Sequence, residues 1–192
     1  MQHRRIFVDV DGVLADFTGR FLRNYNARNG TSLVHDDVTD WDYSKVDAFK
    51  LRDSQEWESY LDPEFWLELD PLPWAHDLMA VIECMGIPFA FLTSLPNGSA
   101  LEDRRKWLDR HFRGKDTQFN YPLHPSKRLI EAAQKDLVVG PGDLLIEDSI
   151  ANVLAARLVG AEAILLAQPW NAGAAGRMTP SEILAYLRWQ KA

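Results

Sequence analysis

Short apolar runs that each stop at a cluster of polar side chains, separated by stretches with helical spacing, constrain the fold of this chain more than any other feature. Ile6-Phe7-Val8 runs into Asp9-Val10-Asp11-Gly12, Ile87 to Leu92 ends at Thr93-Ser94 with Pro96-Asn97-Gly98 behind it, and Leu144-Leu145-Ile146 ends at Glu147-Asp148. Runs this short and this apolar are the pattern of strands buried on both faces. Ala75 to Met85, Leu101 to Phe112 and Ile150 to Val159 carry apolar residues at helical spacing. Gly160 is a helix stop, Ala163 to Leu166 reads as a further strand, Gly173 to Gly176 as a loop, and Thr179-Pro180-Ser181 opens a closing helix through Trp189. Strand and helix alternate. The expected class is therefore α/β, a doubly wound parallel sheet with helices on both faces, in which polar residues at the C-terminal ends of the strands gather along one edge. Functional chemistry is expected at that edge.

Residues 18–74 break the alternation. They hold Asn24, Asn26, Asn29 and Gly30, then acids at Asp36, Asp37, Asp40, Asp42 and Asp47, then aromatics that include four of the seven tryptophans, with no strand-like run among them. The spacing of Ala48, Leu51, Trp57, Tyr60 and Leu61 is more helical than alternating. This segment reads as a small helical cap inserted after the first strand, with residues 1–17 and 75–192 forming the core domain. At 192 residues one core with an inserted subdomain fits, and at 46% hydrophobic and 26% charged the chain is of ordinary globular composition. A net charge of −7 disfavours long nucleic acid and basic membrane-binding surfaces. The single Cys84 excludes an internal disulfide and a cysteine-rich zinc site. The apolar stretch near the N-terminus is too short for a signal peptide, nothing approaches the length of a spanning helix, and the cytoplasm is the expected location.

Asp9-Val10-Asp11-Gly12-Val13 places two carboxylates two residues apart directly after a strand. Taken alone, Asp-x-Asp-Gly is a solvated turn. A calcium loop is ruled out because Gly12 comes too early and Val13 stands where an oxygen ligand is needed. A second acidic pair, Glu147-Asp148, also ends a strand, and several carboxylates converging on one edge repel one another unless a cation sits among them. Oxygen-only donors point to Mg²⁺.

Asp9-Val10-Asp11-Gly12-Val13-Leu14-Ala15-Asp16-Phe17 resembles the first motif of the haloacid dehalogenase (HAD) superfamily, in a form closest to its 5′(3′)-deoxyribonucleotidase branch. The strand ending in Thr93 is similar to the second motif, a later lysine to the third, and Leu145-Ile146-Glu147-Asp148 to the fourth. Phe65 to Pro73 resembles the stretch leading out of that branch's cap, and Arg105-Lys106-Trp107-Leu108 its following helix. The resemblance covers roughly residues 5–170 and implies a Rossmann-like core and a Mg²⁺-dependent phosphomonoesterase acting through an aspartyl-phosphate.

It further implies that Asp9 is the nucleophile, that Asp11 is the acid/base and offers its carbonyl to the metal, and that Thr93, with Ser94 beside it, donates to a phosphoryl oxygen. Asp148 is the expected direct metal ligand with Asp9. Glu147 departs from the Asp-Asp of the branch: direct metal ligand and partner of the lysine both stay open, and its longer side chain suits a place behind the ligands. For the lysine, Lys127 is preferred because it closely follows the strand-like Gln118 to Leu123; Lys135 competes on its spacing to Glu147. Phe17 and Trp66 are expected at the pocket wall, where stacking on a base is worth roughly 1–3 kcal/mol. His124 stands where the branch carries an arginine, which weakens the nucleotide assignment. The expected partner is a small phosphorylated metabolite, a (deoxy)nucleoside monophosphate. The alternatives are a phosphatase for a non-nucleotide metabolite, a phosphomutase and a non-catalytic binding protein of the same fold.

Overall fold

The computed structural model describes residues 3–53, 55–95, 98–112 and 125–191. Among these the sheet has six strands, all paired in parallel: β1 (Arg5–Val8), β2 (Phe89–Thr93), β3 (Leu129–Glu131), β4 (Asp143–Glu147), β5 (Glu162–Leu166) and β6 (Arg177–Met178). Their order is β3-β2-β1-β4-β5-β6. The chain winds outward from β1 in one direction, then returns to β4 on its other side and winds outward again. The β1/β4 junction is therefore the point where connections diverge, and side chains leaving those two strands face a common crevice.

Alternation along the strands sorts the core into two faces. Ile6, Val8, Leu144, Ile146, Ile164 and Leu166 join one apolar cluster, while Phe7, Leu145, Ala163 and Leu165 join the other. The first face is covered by α2 (Ala75–Met85), α3 (Gly98–Phe112) and α5 (Pro180–Lys191), the second by α4 (Ile150–Leu158) through Val153 and Ala156. β3 and β6 are too short to stand out as apolar runs. The expected strand at Gln118 to Leu123, with His124, lies outside the described residues, as do Pro96 and Asn97.

Between β1 and α2 the chain forms α1 (Phe17–Asn29) and three 3-10 turns, His35–Asp37, Tyr43–Lys45 and Glu56–Tyr60. Asp16 caps α1 by accepting from the Gly19 amide at 2.8 Å, and Gly30 ends it in the left-handed conformation at φ 65°. Phe21, Leu22 and Tyr25 line its buried side, where Phe21 meets Tyr43, Phe49 and Tyr60. The two ends of this segment are fastened together: Leu72 N donates to Leu14 O at 2.8 Å and Asp16 N to Asp70 O at 2.8 Å. No helix among the described residues is long and apolar enough to cross a membrane.

Candidate active site

Asp9 follows the last residue of β1, and its amide donates to Ile146 O of β4 at 2.9 Å, which carries the ladder one step beyond the strand. The register Val8↔Ile146 brings Asp9 beside Glu147, and Asp148 follows at the same edge. Asp9, Glu147 and Asp148 are all buried, and each offers one carboxylate oxygen within 4.8 Å of the others. Among the described residues one cation enters the group: Lys135 Nζ lies 2.7 Å from Asp9 Oδ1 and 2.7 Å from Glu147 Oε2, with only 3% of its side chain exposed.

This position belongs to Lys135, the candidate that competed on its spacing to Glu147, and not to Lys127, preferred for following the strand-like Gln118 to Leu123. Lys127 is exposed in the 3-10 turn Pro125–Arg128, which precedes β3 and so lies toward the opposite edge of a parallel sheet. Lys135 opens the 3-10 turn Lys135–Leu137 just after β3, on the C-terminal side, where Asp9 and Glu147 end their own strands. The preference for Lys127 rested on Gln118–Leu123, which lies outside the described residues; among those described, the strand beside β2 on the side away from β1 is Leu129–Glu131.

The electrostatics follow from the burial. Desolvation pushes the Asp9 carboxyl well above the usual carboxylate range; the neighbouring charge of Glu147 adds to this, and Lys135 offsets only part. Asp148 is raised well above the range by burial and by the charges of Glu147 and Asp9. Glu147 moves the other way. Burial opposes its charge, but the charge and hydrogen bond of Lys135 outweigh that and hold it below the usual range. Its Oε1 accepts from the amides of Asp148 at 3.2 Å and Ser149 at 3.1 Å, and its Oε2 accepts from Lys135. Burial disfavours the charge on Lys135, yet Asp9 and Glu147 together raise its pKa. Among the described residues three buried acids face one lysine; ionising all of them calls for further positive charge, and an all-oxygen donor set of this kind fits a hard divalent cation.

Asp11 sits on the turn after β1 with its side chain 23% exposed. Thr93, fully buried at the end of β2, has its Oγ1 3.5 Å from Asp11 Oδ2. Burial raises the Asp11 carboxyl, against the pull of Arg104 and Lys135. Ser94 is exposed and its hydroxyl donates to Ala132 O at 2.6 Å, so that hydroxyl serves the exit of β3. Gly12, at φ 74°, lets the turn pass Asp148: a Cβ there would stand 2.0 Å from Asp148 Oδ2. Phe17 is half-buried with ring contacts to Tyr43, Trp57, Phe65 and Trp66. Trp66 is 8% exposed, and its ring also lies 5.2 Å from the Arg104 guanidinium carbon.

Two sets of residues at the site escaped sequence reasoning. The loop after β5 carries Gln168, whose Nε2 donates to Gly12 O at 2.6 Å, Trp170, whose Nε1 donates to Asp148 Oδ2 at 3.1 Å, and Asn171, whose Nδ2 donates to Asp148 O at 2.9 Å. The signal was present, since these polar residues end an apolar run as Thr93 and Glu147 do. Arg104, fully buried on α3 and donating to Asp11 Oδ1, gave no such signal because it sits in the charged run Asp103-Arg104-Arg105-Lys106. A cavity of about 520 Å³ lies behind Trp170, lined by Thr39, Val153, Arg157 and neighbours; Asp9, Asp11, Thr93 and Lys135 do not line it.

Residues 3–180 match the family described as 5′ nucleotidase, deoxy (pyrimidine), cytosolic type C protein. A Bordetella pertussis protein provisionally named 5′(3′)-deoxyribonucleotidase is 28% identical over 161 residues, 79% of this chain and 77% of that protein. The mitochondrial 5′(3′)-deoxyribonucleotidase of Mus musculus is 29% identical over 154 residues, 75% of this chain and 64% of that protein. In fold, the chain is similar to a HAD family hydrolase from Deinococcus radiodurans with bound phosphate and sodium, with a TM-score of 0.59 at 16% identity, covering 98% of this chain and 96% of that one.

Proposed function

Because this chain belongs to the cytosolic type C 5′ deoxynucleotidase family of HAD-like hydrolases, we propose that it hydrolyses the phosphate ester of a deoxynucleoside monophosphate through a covalent aspartyl-phosphate. The observation that carries this reading is the buried grouping of Asp9, Glu147 and Asp148 at the β1/β4 junction, with Lys135 bridging Asp9 and Glu147.

An oxygen of Asp9 attacks phosphorus in line with the ester bond, forming the acyl phosphate as the bond to the leaving oxygen breaks. Asp11, as the protonated acid, gives its proton to that oxygen and releases the nucleoside; as the resulting carboxylate it then takes a proton from the water that attacks the phospho-Asp9, returning Asp9 and inorganic phosphate. Raising of the Asp11 carboxyl by burial suits the acid half of this cycle. Thr93 donates its hydroxyl to a phosphoryl oxygen. Lys135 offsets the charge that builds on phosphoryl and nucleophile, and Glu147 holds the lysine in place. Asp9, Asp148 and the Asp11 carbonyl are the residues that would hold Mg²⁺. When bound, the ion supplies charge neutralisation for the phosphoryl group. Trp170 and Asn171 steady Asp148, and Gln168 steadies the turn at Gly12. We take residues 18–74 as the cap over this edge, with Phe17 at the pocket wall braced by Trp66. Cys84, unpaired and exposed, suits the reducing cytoplasm.

The test is phosphate release from a panel of deoxynucleotides, ribonucleotides and sugar phosphates, together with Asp9→Asn. The expected result is turnover on deoxynucleoside monophosphates that Asp9→Asn abolishes while nucleotide binding persists. Turnover confined to non-nucleotide phosphates removes the substrate assignment, and unchanged turnover in Asp9→Asn removes the mechanism.

A further inference from the structure

Arg104 occupies an unusual place for a cation. It lies on the buried face of α3 with Ala100, Trp107 and Leu108, positions that helical spacing reserves for apolar side chains, and none of it is exposed. Its guanidinium carbon stands 5.2 Å from the centroid of the Trp66 ring and 5.3 Å from that of Trp107. The Trp107 ring is itself fixed, because its Nε1 donates to Leu69 O at 2.7 Å. Nη2 donates to Asp11 Oδ1, while Nε and Nη1 have no hydrogen-bond partner among the described residues. Two aromatic faces satisfy a planar cation better than they would an ammonium. Even so, a leucine or methionine would serve the packing alone without burying a charge. The charge and its donors are therefore explained by the one hydrogen-bonded ion pair that the guanidinium makes among the described residues, with Asp11. Asp11 is held by Arg104 at Oδ1, while Thr93 Oγ1 stands 3.5 Å from Oδ2.

We infer that Arg104 is a positioning residue for Asp11: held between the two indoles, its guanidinium fixes the direction in which the Asp11 carboxyl meets the leaving oxygen of the substrate. This rests on the acid/base role proposed for Asp11. Arg104 touches neither the phosphate nor the leaving group; it acts through Asp11 alone.

A proton donor matters most when the leaving group is a poor one, so the readout is the kcat/KM of phenyl phosphate against that of 4-nitrophenyl phosphate, which carry the same phosphate on rings of similar shape. kcat/KM for each reports phosphorylation of the enzyme and not the later hydrolysis. The ratio of the two within one preparation is also independent of the fraction of protein that is folded. Asp11→Asn is expected to lower kcat/KM for phenyl phosphate by about 10²-fold or more, and for 4-nitrophenyl phosphate by much less. Arg104→Met is expected to show the same bias at roughly tenfold or more, and Arg104→Lys, which keeps charge and a donor, to recover part of the loss on phenyl phosphate. Equal losses on both substrates in both Arg104 variants, with the bias present in Asp11→Asn, overturn the inference alone, because a role in phosphate binding or in folding affects the two substrates alike. Equal losses in Asp11→Asn overturn the acid/base reading beneath it.

Discussion

At the scale of single residues, Gly12 and Lys135 bear the sharpest constraints. Any side chain at Gly12 must adopt a positive φ and place its Cβ 2.0 Å from Asp148 Oδ2, so Gly12→Ala has to displace Asp148 or open the turn. Its kcat is expected to fall by about 10²-fold, as follows when a reacting group is moved by an ångström; wild-type turnover in a steady-state assay would mean that Asp148 does not need its present position. Lys135→Met leaves Asp9 and Glu147 buried without their cation, and a loss of about 3–5 kcal/mol in urea unfolding is expected. Lys127→Met, by contrast, alters an exposed turn and should stay within about 0.5 kcal/mol of the parent in the same measurement. Equal effects of the two substitutions would undo the placement of the lysine.

At the scale of elements, the pairing of β1 with β4 sets the site, and it is held at its far end by a second charged cluster. Asp143, the first residue of β4, has a side chain with no exposure; it accepts from Arg5 at 3.0 and 2.6 Å, from Arg4 at 3.3 Å and from the Gly140 amide at 3.0 Å. Burial pushes this carboxyl up, but Arg5, Arg4 and the amide outweigh it, and the net shift is downward. A carboxyl lowered in the folded state contributes stability that is present above its unfolded value, about 4, and is lost as pH falls through the folded one. Asp143→Asn should therefore cost about 1–3 kcal/mol at neutral pH, with the gap from the parent closing as the pH drops below about 4. Urea titrations across that range measure it, and a gap independent of pH would show that the carboxylate charge does not matter. The helix that follows β2 illustrates a limit of periodicity: α3 was legible from its apolar spacing between Leu101 and Phe112, whereas Arg104 on the buried face was not singled out within its run of charged residues.

At the scale of the whole molecule, the acids proposed to hold the ion come from the ends of the two central strands, β1 and β4, where the two halves of the winding begin, so a cation bound there would link them. A divalent ion should stabilise the fold: Mg²⁺ at about a hundred times its dissociation constant is worth about 2.7 kcal/mol, or several degrees in Tm. Asp148→Asn should abolish that shift in a thermal melt, and a parent protein whose Tm ignores Mg²⁺ would remove the metal from the account. Much of this architecture was legible in the sequence. Continuous apolar runs ending in Asp9, Thr93 and Glu147 identify buried parallel strands and the edge where they end, because only a strand covered on both faces needs such runs, and its polar residues must wait until the chain leaves the sheet. Strand order, and with it the choice of lysine, came from the tertiary structure. β3 is three residues long, too short to carry a periodic signal, and the side of the sheet on which a lysine emerges depends on where that strand begins. The same holds for Arg104: a hydrogen bond between residues far apart in the chain leaves no local pattern, since its energy is gained only after the fold has brought both partners together.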